Sequence, residues 1–260
     1  MSDQEIKRRV QEQFGATAHS YVTSPGHARG DDLARMVELA QPRADERALD
    51  IATGGGHTAL AFAPHVREVV ATDLTPQMLA AAREFIVGRG AANVRFEPAD
   101  AEALPFEDAS FDIVTTRIAP HHFPNPQLYI REAARVLRPG GRLVLDDNMA
   151  PEDAELAAFM NRFEQWRDPS HVRAHSIGEW SAWIEAAGLR IEHVDPLALK
   201  RYDFDSWAER MRMPAAERAA LEAWLIAAPS RCREFFELAV ADGRVQSICG
   251  AFAIIVARKE

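Results

Sequence analysis

Cysteine is nearly absent: Cys232 and Cys249 are the only two in 260 residues. They cannot build a disulfide framework and lack zinc-ligand spacing, so both read as reduced, mostly buried thiols, no metal centre is expected, and the expected compartment is a reducing cytoplasm. Long apolar runs are missing as well. The start, Met1 to Gln13, is charged and has no signal core, and the longest apolar stretch near the end, Ala251 to Ala257, is far too short to span a bilayer. Neither secretion nor membrane insertion is expected. Clustered positive charge is also lacking: 30 basic side chains stand against 39 acidic ones, net −9, and no basic face offsets the repulsion a phosphate backbone would meet. A nucleic-acid partner is therefore disfavoured. Repeats and low-complexity linkers are absent too.

What is present is an alternation. Short apolar runs at Ala48 to Ile51, Glu68 to Thr72, Val94 to Phe96, Phe111 to Val114 and Arg142 to Leu145 read as strands. Between them lie amphipathic stretches. Met78, Leu79, Ala82, Phe85 and Ile86 recur at helical spacing after Thr75-Pro76, an N-cap and first-position pair, and Asn125-Pro126 gives the same signal before Leu128 to Leu137. Ser2 and Glu5 have capping-box spacing, and Ala28 to Ala40 reads as a further helix. Beyond residue 148, Leu156, Phe159, Met160, Phe163 and Trp166 form a helical stripe that reads as core, Asp203 to Leu238 reads as helical, and Leu189 to Val194 and Ser247 to Ala257 read as the last strands. Strand and helix in alternation imply an α/β fold, a doubly wound, Rossmann-like and mostly parallel sheet. One domain over 1–260 is expected: a helical N-terminal lid at 1–46, a ligand-binding half at 47–148, and substrate-side helices with the final strands at 149–260.

In such sheets the ligand lies beyond the carboxyl ends of the strands. After the first strand, Thr53-Gly54-Gly55-Gly56-His57-Thr58-Ala59 satisfies G-x-G-x-x-A through Gly54, Gly56 and Ala59. Asp73 ends the second strand about 20 residues on, where a carboxylate can take both ribose hydroxyls. An adenosine-type cofactor follows, and a nicotinamide dinucleotide stays open. Asp50, inside the first strand, is a poor companion for a doubly negative pyrophosphate and suits a cofactor that carries a sulfonium and an ammonium instead. A second reading makes Asp50 a buried acid holding the loop's own amides. Asp100 follows the third strand, placed either for the exocyclic amine of adenine or as an N-cap before Ala101.

These residues together resemble the motifs of the class I S-adenosylmethionine-dependent methyltransferases, close to the quinone-biosynthesis C-methyltransferases. Leu49 to Gly56 is similar to that family's first motif, Val70 to Leu79 to the second and Ala99 to Phe106 to the third. Phe111 to Val114 continuing to His121-His122-Phe123, and Arg135 to Leu143, complete the order. The resemblance implies a seven-stranded sheet with the last strand antiparallel, S-adenosylmethionine as cofactor and S-adenosylhomocysteine as product. It also implies cofactor contacts from Ala52, Thr53, Gly54 and Gly56, from Asp73, Leu74 and Met78, from Asp100 and Ala101, and from Arg117. The departure is Ala52-Thr53, where the family commonly has glycine and then a small or polar residue.

A sulfonium methyl is already activated, so the protein's main task is to align the acceptor and exclude water. A base helps for an acidic acceptor, and His122, after the fourth strand, is the candidate to line the methyl site. Its other reading is a histidine that fastens the Pro120 to Pro126 loop. Tyr21 and His27 are further catalytic candidates, in a segment that in similar enzymes folds over the cofactor, with aromatic packing the default for Tyr21. Arg167, His171 and Arg173 are substrate-binding candidates for an anionic acceptor, or else solvated surface. The expected partner is a small organic methyl acceptor. The rival readings are a nicotinamide-dependent oxidoreductase and a non-catalytic protein that binds the adenosyl cofactor.

Overall fold

The computed structural model describes residues 1–16, 18 and 31–260; Tyr21 and His27 lie outside the described residues. The described chain divides into two compact units, one of residues 1–147, 181–194 and 254–260, the other of residues 148–180 and 195–253. No described helix is long and apolar enough to cross a membrane.

In the first unit, β1 (Arg47–Ile51), β2 (Glu68–Asp73), β3 (Val94–Pro98), β4 (Phe111–Arg117), residues 137–147 of β5 (Leu137–Ala150), β7 (Leu189–Val194) and residues 254–259 of β10 (Arg244–Lys259) form a sheet of order β3-β2-β1-β4-β5-β10-β7. In the second unit the short strands β6 (His175–Ser176) and β9 (Ala239–Ala241) pair with the remaining residues of β5 and β10. The helices include α5 (Pro126–Val136) and α7 (Ile177–Ala186). The pairs β1–β2, β1–β4, β2–β3 and β4–β5 are parallel, while β10 runs antiparallel to β7. Residues such as Leu49, Val69, Val70 and Ile113 are almost wholly buried, as expected of parallel strands covered on both faces. One cluster gathers Met36 and Ala40 of α2 (Asp31–Ala40), Phe62 of α3 (His57–Phe62) and Ile86 of α4 (Pro76–Gly88) with Val69, Ile113 and Val144 of the sheet. Burying a side chain of this size contributes about 1.5–3 kcal/mol.

The capping box of α1 (Asp3–Gly15) is present: Ser2 N–H donates to Glu5 Oε2 at 2.8 Å and Glu5 N–H to Ser2 Oγ at 3.3 Å. At α4 the cap differs from expectation. Thr75 holds the N-cap position, yet its hydroxyl caps nothing, and Asp73 Oδ1 takes the Thr75 N–H instead, at 2.8 Å. Strand β5 is longer than the apolar run Arg142 to Leu145, because pairing with β4 continues across Pro139-Gly140-Gly141 through a register shift. Gly141 is needed there: a Cβ would stand 2.9 Å from the Arg138 carbonyl oxygen and 3.0 Å from that of Asp112.

The second unit has its own core. Leu156, Phe159, Met160 and Phe163 of α6 (Ala154–Arg167) pack with Phe204 and Trp207 of α8 (Phe204–Arg210), Leu221 and Leu225 of α9 (Ala215–Ile226), and Phe236. Of the stripe read from the sequence as core, these four residues are core, while Trp166 is half-buried and packs against them. The stretch expected to be helical from 203 to 238 is three helices, because Pro214 and Pro229 precede α9 and α10 (Ser230–Phe235). Strand β8 (Ala198–Asp203), which the sequence reading lacks, pairs with residues 247–252 of β10.

Candidate functional site

The carboxyl ends of β1 to β4 open into one cavity of about 990 Å³ including its mouth, wholly within the first unit. Its wall comes from the loop after β1 (Ala52 to Gly55, with His57 and Thr58), from Asp73 to Thr75, from Met78, from Ala99 to Glu102, and from Arg117 to Ala119 with His122 to Pro124. Lys7, Val10 and Phe14 of α1 complete it.

The loop after β1 turns through three left-handed residues, Ala52 at φ 53°, Gly54 at φ 55° and Gly56 at φ 84°. A methyl side chain costs about 1–2 kcal/mol in that region, which glycine escapes. Glycine in turn loses about 0.5–1 kcal/mol of chain entropy. Ala52→Gly is therefore expected to stabilise the fold by up to about 1 kcal/mol, read as a rise in the urea midpoint at unchanged slope; a fall would refute strain at Ala52.

Gly56 does not line the cavity. It precedes α3, and a Cβ there would sit 2.8 Å from Ile86 Cδ1 and 3.1 Å from Ala82 Cβ, so this glycine serves the packing of the loop against α4. Asp50 is likewise absent from the wall. It is buried under the loop and accepts the hydroxyls of Thr53 at 2.6 Å and Thr115 at 2.8 Å. Burial pushes its carboxyl up to about 6 against those bonds. The geometry is that of an acid that holds the loop from below.

Asp73 and Asp100 both reach the wall. Asp73 Oδ2 accepts the Gly54 N–H at 2.9 Å, so its carboxylate ties the β1 loop to the end of β2. Burial raises its pKa, opposed by the Thr75 and Gly54 amides. Asp100 serves as a local cap, taking the Glu102 N–H at 3.0 Å on Oδ1, while its Oδ2 takes Lys7 Nζ at 2.6 Å. Lys7 also reaches Glu102 at 2.7 Å. Lys7, Val10 and Phe14 were missed in the sequence, although their spacing places them on one face of α1.

Arg117 lines the cavity with its guanidinium between Asp32, at 2.6 Å, and Asp146, at 3.6 Å. Burial and then the Asp32 charge push Asp146 well above the ordinary carboxylate range, with Arg117 opposing. The two adjacent histidines differ: His122 lines the cavity, whereas His121 is turned to Asp147, with its Nδ1 2.6 Å from Oδ1. Ala52, Thr53, Gly54, Leu74, Met78 and Ala101 also stand on the wall as expected.

Arg167, His171 and Arg173 belong to the second unit and each has a partner there. Arg167 pairs with Glu164 at 3.0 Å and lies 4.6 Å over the Trp207 ring, His171 Nε2 is 2.9 Å from Asn161 Oδ1, and Arg173 pairs with Glu179 at 2.8 Å.

The electrostatics narrow the ligand. The Lys and Arg side chains of the wall, Lys7 and Arg117, are each set between two carboxylates. The Gly54 amide is spent on Asp73. A pyrophosphate would find carboxylates where it needs amides and cations. A phosphate-free cofactor with positive charge fits this donor set.

Residues 49–145 match a family described as a methyltransferase domain. The chain is 40% identical over 237 residues to the uncharacterized methyltransferase YcgJ of Bacillus subtilis (strain 168), covering 91% of this chain and 93% of that one. The solved YcgJ structure superposes with a TM-score of 0.86 at 39% identity, over 88% of this chain and 98% of that chain. A solved chain from Bacillus halodurans C-125 gives a TM-score of 0.86 at 43% identity, over 88% and 99%. The ubiquinone/menaquinone biosynthesis C-methyltransferase UbiE of Ectopseudomonas mendocina (strain ymp) is 39% identical over 179 residues, 67% of this chain and 70% of that relative.

Proposed function

The chain belongs to the S-adenosylmethionine-dependent methyltransferases, and from that premise we propose that it methylates a small organic acceptor and releases S-adenosylhomocysteine. The cofactor, when bound, supplies a methyl group already activated on a sulfonium sulfur. The observation that carries this reading is the cavity's donor set: carboxylates at the ends of β2 and β3, and cations already neutralised.

In this reading Asp73 accepts the ribose hydroxyls, Asp100 and the Ala101 amide address adenine, and Ala52 to Gly54, Leu74 and Met78 enclose the rest. Arg117 ties the segment after β4 to Asp32 and Asp146. The apolar part of the wall, Val10, Phe14, Ile118 and Phe123 among it, excludes water. His122 takes the proton that an oxygen, nitrogen or carbon acid acceptor must lose as the methyl group arrives. This raises the electron density on the attacking atom near neutral pH. Tyr21 and His27 are candidates on the acceptor side.

Calorimetric titration tests the cofactor. S-adenosylhomocysteine is expected to bind and a nicotinamide dinucleotide to give no heat; the reverse would restore the oxidoreductase reading. Incubation with methyl-labelled S-adenosylmethionine and a metabolite extract is expected to leave label in a small acceptor.

A further inference from the structure

We propose that Asp147 and His121 form a positioning pair that fixes the ring of His122 at the cavity wall. His121 is not a second base in this arrangement. Its Nδ1 lies 2.6 Å from Asp147 Oδ1, and its backbone N–H donates to Asp147 Oδ2 at 2.8 Å. Both oxygens of one carboxylate are thus committed to one residue. Asp147 is 0% exposed and His121 4%; a carboxylate removed from water this far must be matched by strong hydrogen bonds. The pair therefore holds its geometry at high energetic stakes.

The constraint reaches His122 through short links. Residues 120–122 form one 3-10 turn, in which His122 N–H donates to the Ala119 carbonyl at 2.9 Å. The His121 and His122 rings lie with centroids 4.1 Å apart, inclined at 45°. On another side Phe14 of α1 meets the His122 ring edge to face at 5.0 Å. The same end of β5 also holds the start of the segment, because Ile118 N–H donates to the Asp146 carbonyl at 2.8 Å. Ile118 has φ 51°, a conformation that a β-branched residue adopts only when its surroundings impose it. Two consecutive residues of β5 thus grip the segment that follows β4 at both ends. One histidine is the pin and the other is presented.

The role of His122 as proton acceptor rests on the methyl-transfer reading, whereas the placement of its ring is read independently. The experiment uses full-length protein labelled with 13C-histidine and saturated with S-adenosylhomocysteine, with His122→Gln identifying the His122 signal. In parallel, the rate of label transfer from S-adenosylmethionine into a metabolite extract is followed. For Asp147→Ala, the His122 imidazole signal is expected to move, transfer to fall at least tenfold, and the S-adenosylhomocysteine Kd to stay within threefold. Asp147→Asn, which keeps an acceptor for the His121 amide, is expected to recover part of the rate. His121→Phe retains a ring against His122 but not the bond to Asp147, and should behave like Asp147→Ala if the latter does not fold. An unmoved His122 signal, or a tenfold loss of S-adenosylhomocysteine affinity alongside the rate, overturns the proposal. A wild-type protein that transfers no label while its His122 signal still responds overturns the methyl-transfer reading and supports the placement.

Discussion

Replacement of Asp73 by alanine is expected to weaken S-adenosylhomocysteine binding at least a hundredfold, about 2.8 kcal/mol at 1.4 kcal/mol per tenfold. Two losses add. The first is direct: a hydrogen bond to a charged group contributes about 1.5–3 kcal/mol, and the proposed ribose contact is of that kind. The second is indirect, since Asp73 also accepts the amides of Gly54 at 2.9 Å and Thr75 at 2.8 Å. Without Asp73 those two amides must find other partners, and the β1 loop stays tied to β2 through the Thr53 amide on the Thr72 carbonyl, at 2.7 Å. Asp73→Asn keeps one acceptor oxygen and should lie between, near a tenfold loss. Isothermal titration on folded protein decides the matter: affinity of Asp73→Ala within threefold of wild type would remove Asp73 from the cofactor site.

The largest stability effect is expected far from the cavity, at Glu46 and Arg142. These side chains, 2% and 4% exposed, form a two-pronged ion pair with distances of 2.9 and 2.7 Å. Arg142 also donates to the carbonyls of Ala40 and Gln41, and Glu46 accepts the Arg43 amide at 2.8 Å. One residue of β5 thereby closes the end of α2 onto the entry to β1. Glu46→Ala leaves a buried guanidinium without its counter-charge, a change that costs about 3–5 kcal/mol. The double substitution Glu46→Leu with Arg142→Met should recover part of that, limited by the carbonyls Arg142 leaves behind. Urea denaturation reads both, and a single-mutant loss under about 1 kcal/mol would refute the assignment, since that is the level of a surface pair.

Acidity should act through the same pair. Burial pushes the Glu46 carboxyl up, but the bonds from Arg142 and the Arg43 amide outweigh it and hold the pKa below the ordinary 4.5. A depressed folded-state pKa gives stability that is present above the unfolded value and lost as pH falls through the folded one. The contribution is therefore full above about pH 5 and disappears below 4.5. Glu46→Ala should flatten the acid limb of the stability curve in that window.

Much of the sheet and part of the wall were legible before folding. Strand runs such as Val69-Val70-Ala71 are apolar because both sheet faces are covered, and that pattern is local. Gly54, Asp73, Asp100 and Ala101 were found because each lies at or just beyond a strand end, where topology sends ligands, and Leu74 through the family resemblance. Strand β8 escaped notice because it is half exposed and carries Lys200 and Arg201 where a buried strand would be apolar. The run through Pro139-Gly140-Gly141 reads as a break, and only the pairing with β4 shows that the strand continues.

The lack of a basic face disfavoured a nucleic-acid partner, and the alternation of strand and helix determined the class of fold by local spacing alone. Tertiary structure decided the assignments within the site. It placed Asp50 and Gly56 behind the loop rather than on the wall, drew Lys7 to Asp100 from 93 residues away, and turned His121 from the cavity toward Asp147. The physical reason is one of range. Periodicity and turn chemistry are written in neighbouring residues, whereas the partner of a buried charge is chosen by whichever strands the sheet brings side by side.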